Sequence, residues 1–362
     1  MPSDKSSQIA PPPWESSVSR ACPQRLKVGV VGLGRLWEAR HKPAFQRLAD
    51  QFRVVAVYDQ VHRRAEFEAR SLGAVAAESL TQLIERSDID IISILAPQWF
   101  GLHAVELACR AGKSIYCALP LATEIDEVNS LTELVTSKDI RFMPELARRF
   151  YPATLRLKEL LANTIGPARL VLGTARVMGF DRYSQPGPTT QVSPASLLID
   201  PGSYLIDWCR FIFDDEPSSV QACGTLAVPS SQAGNDFEGF VAEFPGGRLA
   251  QINVCRFHRK VWGEAVRFLP QPGFQVYAER GTAWIELPDK VQWSDASGIH
   301  SEQLALEPSV GELLNQELYR FVQGEPSLAP TWNDARQVVQ LVANLTESHR
   351  EGRKVRTRPA HS

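Results

Sequence analysis

Residues 26–37, LKVGVVGLGRLW, constrain the fold of this chain more than any other segment. Leu26, Val28, Val30 and Val31 make a short apolar run rich in β-branched residues, the pattern of a buried strand. Gly32 and Gly34 follow as the first two glycines of G-x-G-x-x-G. In that turn the backbone of Gly32, Leu33, Gly34, Arg35 and Leu36 approaches a dinucleotide pyrophosphate at a helix N-terminus. The third glycine, which lets the helix lie close to its strand, is Trp37 here. A second strand, VVAVYD, closes on Asp59, 27 residues beyond Gly32 and placed to accept hydrogen bonds from the adenosine ribose of NAD. Strand, glycine turn and acidic strand end together point to a nucleotide-binding β-α-β unit. The alternative is a plain strand-glycine-helix turn of another α/β protein.

A chain of 362 residues accommodates two domains with a shared cleft. Its 44% hydrophobic and 22% charged residues are those of a globular protein with ample core. A net charge of −2 offers no electrostatic basis for nucleic acid or an anionic membrane as partner. No apolar stretch reaches the ~20 residues needed to span a bilayer. Residues 1–24, with a PPPW cluster and no hydrophobic signal core, read as a disordered tail without an export signal. Six scattered cysteines, without C-x-x-C or metal spacing, imply neither a disulfide framework nor a metal site, and a cytoplasmic location is expected.

Strand and helix patterns alternate through DIDIISILAP, HAVELACRAGK, SIYCALP, EIDEVNSLTELVTSK and IRFMPELA, which predicts a parallel, doubly wound sheet over residues 25–147. Ala96 and Pro97, closing one of these strands, join the expected cofactor-binding set. From residue 148 to 355 the texture changes. YPATLRLKELLAN and LLIDPGSYLIDWCRFIF read as helices, and a Pro/Gly/Ser/Thr-rich loop runs from 179 to 194. Alternating strands with tight turns then predict a large, open, mostly antiparallel sheet. The expected architecture is α/β: a Rossmann-type domain followed by an α+β domain.

These segments resemble the glucose-fructose oxidoreductase/inositol dehydrogenase (Gfo/Idh/MocA) family from about Arg25 to Val355. The likeness is carried by VGVVGLGRLWEARHKPAF, VVAVYD, SDIDIISILAP, LACRAGKSIYCALPLA, RRFYPA, IDPGSYLID and RGTAWIEL. The resemblance implies an NAD(P)-dependent oxidoreductase that pairs face to face through its second-domain sheet. Three positions depart from the family pattern. Most members have Glu-Lys-Pro where this chain has Ala118-Leu119-Pro120, and the family's lysine contacts both cofactor and substrate hydroxyl. Leu119 has no donor to stabilise charge developing on that oxygen. The usual Pro-Asn-x-x-His is Pro97-Gln98-Trp99-Phe100-Gly101, with His103 two positions late. Where the family often has histidine four residues after an aspartate, Asp200 is followed by Tyr204, as in the glucose-fructose oxidoreductase branch.

Read from the residues alone, Pro201 in a first helical turn makes Asp200 an N-cap candidate. Asp200, Tyr204 and Asp207 would then share one helix face. Tyr204 would pass a proton to or from a substrate oxygen once its pKa is lowered, or donate a hydrogen bond to that oxygen, while Asp200 orients it or a water; the bland alternatives are a packed aromatic and a simple cap. Arg149 either holds substrate hydroxyls or a carboxylate, or forms an interdomain ion pair. His103 either contacts substrate or is a surface helix histidine. Trp99 and Phe100 either flank a nicotinamide or pack. Glu145 is a single carboxylate at a strand end, and His258 and the basic run 256–260 read as an exposed sheet edge.

The leading expectation is hydride transfer between a sugar, polyol or related hydroxy compound and NAD, with NADP possible because Arg63 and Arg64 lie behind Asp59. The alternatives are a non-catalytic dinucleotide- or sugar-binding sensor or scaffold, and a reductase or lyase that needs no lysine.

Overall fold

The computed structural model describes residues 25–100, 102–119, 125–178, 196–225, 237–257 and 273–357. The expected tail 1–24, the loop 179–194, Gly101, Pro120 and His258 lie outside them.

Six parallel strands build the first unit: β1 (Leu26–Val31), β2 (Phe52–Tyr58), β3 (Val75–Ala76), β4 (Ile91–Ile94), β5 (Ser114–Cys117) and β6 (Phe142–Pro144). Their order is β3-β2-β1-β4-β5-β6, so the chain reverses direction between β1 and β4. Covering helices bury both faces, which is why β4 is buried at every position and reads as one apolar run. The intervening helices are α1 (Lys42–Arg47), α2 (His62–Leu72), α3 (Leu80–Ile84), α4 (Pro97–Phe100), α5 (His103–Arg110) and α6 (Ile125–Ser137).

The helix after the glycine turn begins irregularly. Trp37–His41 form a π-helical segment closed by a hydrogen bond from the Lys42 N–H to the Trp37 carbonyl. Pro43, just beyond, has no N–H for the ordinary bond to residue 39 and would crowd that carbonyl, so the preceding turn widens. Trp37 fills the space where a third glycine would allow close approach. Its ring is fully buried, and its indole N–H donates to the Glu68 carboxylate on α2 at 3.3 Å. Lys42 neutralises Glu68 from 2.8 Å.

The second unit starts with α7 (Pro152–Asn163) and β7 (Ala168–Met178), followed by α8 (Gly202–Phe213). Next come β8 (Ser219–Thr225), β9 (Phe237–Phe244), β10 (Arg248–Phe257), β11 (Gly273–Ala278), β12 (Thr282–Glu286), β13 (Lys290–Asp295) and β14 (Gly298–Gln303). With β15 (Val355–Arg356) they form a nine-stranded sheet in the order β14-β13-β12-β11-β7-β10-β9-β8-β15. It is antiparallel except for β7 against β10, because β7 is reached first and the later strands close on both its sides. Helices α7, α8 and α10 (Trp332–Glu351) cover one face. Trp208 anchors that core, 4.5 Å from the Phe274 ring centroid and donating its indole N–H to Thr154 at 3.0 Å.

The chain then returns to its beginning. Leu314, Leu318 and Tyr319 of α9 (Val310–Gln323) lie in the core around β1 and β2. Trp332, Ala335 and Val339 of α10 lie in the core around β5 and β6. Gly311 marks the closest approach: a Cβ there would sit 2.5 Å from the Arg40 carbonyl oxygen, so α9 can touch the π-helical segment only through a glycine.

Trp37→Ala removes a fully enclosed indole and leaves Glu68 without that donor. We expect a loss of about 3–5 kcal/mol, measured by urea unfolding of the full chain.

Candidate active site

The carboxyl ends of β1, β2, β4, β5 and β6 share one edge of the parallel sheet, where open α/β folds bind ligands at the reversal of strand order. The glycine turn lies at that reversal. Gly32 has φ +89°, and a Cβ there would come within 2.6 Å of the Ala96 Cβ. Only glycine fits so close to the start of α4, which opens at Pro97. Hydrogen bonds from Gly32 N–H to Tyr58 O (2.9 Å) and from Leu95 N–H to Val31 O (2.8 Å) hold the turn to both neighbouring strands.

Gly34 has nothing within 4 Å of its Cβ direction, leaving an open cradle at the start of the helix. The N–H groups of a first helical turn lack intrahelical acceptors and can bind phosphate oxygens there. Arg35 is exposed and Leu36 packs on the core edge. Leu33 buries its side chain and donates its N–H to Asp59 Oδ2 at 2.8 Å, while Val61 N–H donates to Oδ1 at 2.9 Å. Backbone donors thus fix the Asp59 carboxylate beside the turn, with Arg64 at 3.5 Å on its outer side. An open cradle, an amide-rich turn and a fixed carboxylate fit a dinucleotide.

Leu119 is buried in the core of the first unit, and its carbonyl accepts the Tyr204 hydroxyl at 2.5 Å. The phenol therefore stands where β5 ends. Its pKa is raised, contrary to the expected lowering. Burial is the main cause, and the negative charges of Glu145 and Asp200 act in the same direction against Arg40 and Arg148. Asp200 is not the cap of α8. Pro201 occupies that place without a side-chain cap, and the turn before it is held by backbone bonds, Asp200 N–H to Ser196 O (3.1 Å) and Gly202 N–H to Leu197 O (2.8 Å). Asp200 lies before the helix; the residue as a whole is exposed, but partial desolvation of its carboxyl by the surrounding protein raises its pKa against the charge of Arg148.

Arg148 and Arg149 are consecutive in the 3-10 turn Ala147–Phe150 and leave it ~120° apart. Arg149 points into the protein. It grips Asp207 with Nε–Oδ2 at 2.9 Å and Nη2–Oδ1 at 2.6 Å, and meets Asp334 of α10 at 2.7 Å. Arg210 adds a bond to Asp207 at 2.8 Å. Arg149 is thus committed to an ion network and has no fork left for substrate. His103 is exposed beside Glu106 and faces the groove between α5 and α6. Trp99 is exposed, and Phe100 packs against Tyr58 with centroids 5.8 Å apart.

Beneath the site lies a buried cluster that local sequence patterns do not show. Glu145 accepts from Arg40 and, at 3.1 Å, pairs with His41 Nε2. The Tyr116 ring stacks edge-on 5.1 Å from His41, and the Asn315 amide lies 3.4 Å from Nδ1. Arg40 and His41 are 105 and 104 residues from Glu145, so only the crossovers of the sheet bring them together. Among the described residues no group of His, Cys, Asp or Glu could hold a metal ion, and no helix is long and apolar enough to cross a membrane.

Burial alone would raise the Glu145 pKa; His41 and Arg40 overcome it and hold the carboxyl below its usual range. A lowered native pKa gives stability that is complete above the unfolded-state value, ~4.3, and is lost as pH falls through the native value. Glu145→Gln should flatten this acid limb. It should also cost about 3–5 kcal/mol at neutral pH, because Arg40 loses its partner. Urea unfolding over a pH series measures both.

Residues 26–146 match the family model described as an oxidoreductase family with an NAD-binding Rossmann fold, and residues 154–284 match the GFO/IDH/MocA C-terminal domain. Inositol 2-dehydrogenase of Rhizobium meliloti is 24% identical over 341 residues, 91% of this chain and 98% of that protein. Trans-1,2-dihydrobenzene-1,2-diol dehydrogenase of Danio rerio is 29% identical over 60% of this chain and 64% of its own length. Levoglucosan dehydrogenase, solved with NADH and L-sorbose, shares the fold at TM-score 0.80 and 19% identity, over 93% of this chain and 100% of that one.

Proposed function

Because this chain belongs to the Gfo/Idh/MocA family of oxidoreductases, we propose that it is an NAD-dependent dehydrogenase of a hydroxyl-bearing small molecule related to sugars and polyols. The observation that carries this reading is the Asp59 carboxylate locked onto the Leu33 amide beside the open Gly34 turn, on the same sheet edge as the Tyr204 hydroxyl. The substrate class is supported by relatives named for inositol and levoglucosan.

The nicotinamide cofactor, when bound, supplies the hydride acceptor or donor. Gly32, Leu33, Gly34, Arg35 and Leu36 offer backbone to its pyrophosphate, Ala96 and Pro97 border the turn, and Asp59 takes the ribose hydroxyls and disfavours a 2′-phosphate. The chain itself handles the substrate oxygen. Tyr204, its pKa raised by burial, stays protonated at neutral pH and donates a hydrogen bond. That bond shifts from the Leu119 carbonyl to the reacting oxygen, the place where family members present lysine. Asp200, its pKa raised by desolvation, exchanges the alcohol proton. This reading carries with it a cytoplasmic homo-oligomer paired through the outer face of the nine-stranded sheet. There Trp284, Gln275, Leu172 and Gln251 form one cross-strand row.

Gly34→Val should abolish NADH binding in calorimetry, and Asp59→Ser should narrow the preference for NADH over NADPH. Tyr204→Phe should lower turnover by ~10²-fold with the NADH Kd unchanged. NADH binding without turnover of any sugar, polyol or hydroxy acid would instead favour a cofactor-binding sensor. Failure of the wild type to bind NADH would overturn the dehydrogenase reading.

A further inference from the structure

Four arginines crowd the junction of the two units, and three have carboxylate partners. Arg40 has Glu145, Arg149 has Asp207 and Asp334, and Arg210 has Asp207 and Glu216. Arg148 is the exception. Among the described residues it makes no hydrogen bond and no ion pair, although it is partly withdrawn from water and desolvation lowers its pKa. Asp200 and the phenols of Tyr151 and Tyr204 favour its charge, and Arg40 opposes it. Asp200 is near enough to act on it electrostatically but makes no ion pair with it, and the Tyr204 phenol feels both charges. Withdrawing a guanidinium from water without a partner is costly, and Arg cannot shed its proton to escape that cost. An anion is the ligand that offsets it. A planar carboxylate matches the fork with two parallel charge-assisted hydrogen bonds.

We infer that Arg148 holds a carboxylate of the substrate, making the preferred substrate a hydroxy acid of the aldonate or uronate class in place of a neutral polyol. The acid end docks on Arg148 and the hydroxyl to be oxidised is presented to Tyr204 and Asp200. The negative charge required by Arg148 also explains why the site tolerates Leu119: a substrate anchored by charge is positioned without the family's lysine. The catalytic part of this inference rests on the dehydrogenase reading; the binding part does not.

The test titrates the full-length protein, saturated with NADH, by calorimetry. The probes are sodium aldonates and uronates, set against neutral aldoses and polyols of the same carbon skeletons. The acids should bind at least ~10-fold more tightly than their neutral counterparts. Arg148→Met should erase that advantage while the NADH Kd stays the same, and Arg148→Lys should restore part of it. With NAD as oxidant, the kcat/KM ratio of acid to neutral substrate should collapse in Arg148→Met in parallel. Neutral compounds binding as tightly as the acids, or an acid preference that survives Arg148→Met, overturns the inference. If NADH does not bind, the dehydrogenase reading falls separately. The same titrations without cofactor then decide Arg148: acid binding lost in Arg148→Met supports it, and no acid binding overturns it.

Discussion

The bidentate pair between Arg149 and Asp207 is the interaction on which the site depends. It joins the turn after β6 to the middle of α8, and Asp334 carries the same contact into the first turn of α10. Three segments from distant parts of the chain are thereby held at one point. With α8 fixed there, its first turn is delivered to the end of β5, where Tyr204 reaches the Leu119 carbonyl. A buried ion pair of this kind adds little net stability over a well-packed apolar pair, but breaking it strands a charge. Its value lies in specifying one arrangement. It also decides which of two adjacent arginines remains unpaired, since Asp207 and Asp334 occupy Arg149 and leave Arg148 without a carboxylate.

A second constraint acts from the cofactor side. The helix after the glycine turn is distorted over Trp37–His41, and the distortion is used on both of its faces. Trp37 is enclosed against α2, while Arg40 and His41 turn inward to Glu145. The backbone of Arg40 touches α9 at Gly311. The glycine turn, the end of β6 and a helix from the far end of the chain therefore share one buried polar cluster. A change in any of these groups would be felt at both the dinucleotide turn and the substrate edge.

Position 119 is leucine, and two arginines, Arg40 and Arg148, act on the Tyr204 phenol that meets its backbone. Leucine there is absorbed into the apolar core, and its backbone carbonyl becomes the resting partner of Tyr204. Arg148 and Asp200 act on each other and on the Tyr204 phenol. Burial and the neighbouring carboxylates keep the phenol protonated.

By itself the sequence determined what depends on short-range pattern. The continuous apolar runs of β1 and β4, the glycines at 32 and 34 and the acid at the end of β2 are local signatures with local causes, so the doubly wound unit and its dinucleotide turn were legible. The alternating strands likewise announced the second sheet, although the parallel β7·β10 pair was not visible, because neighbours in a sheet are chosen by closure over a long segment. Tertiary structure alone decided the chemistry of the arginines and of Tyr204. Arg148 and Arg149 are identical in sequence context; only the positions of Asp207 and Asp334, 58 and 185 residues beyond Arg149, distinguish the paired side chain from the unpaired one. The raised pKa of Tyr204 has the same origin, since burial and the field of distant carboxylates are properties of packing and have no local sequence signature.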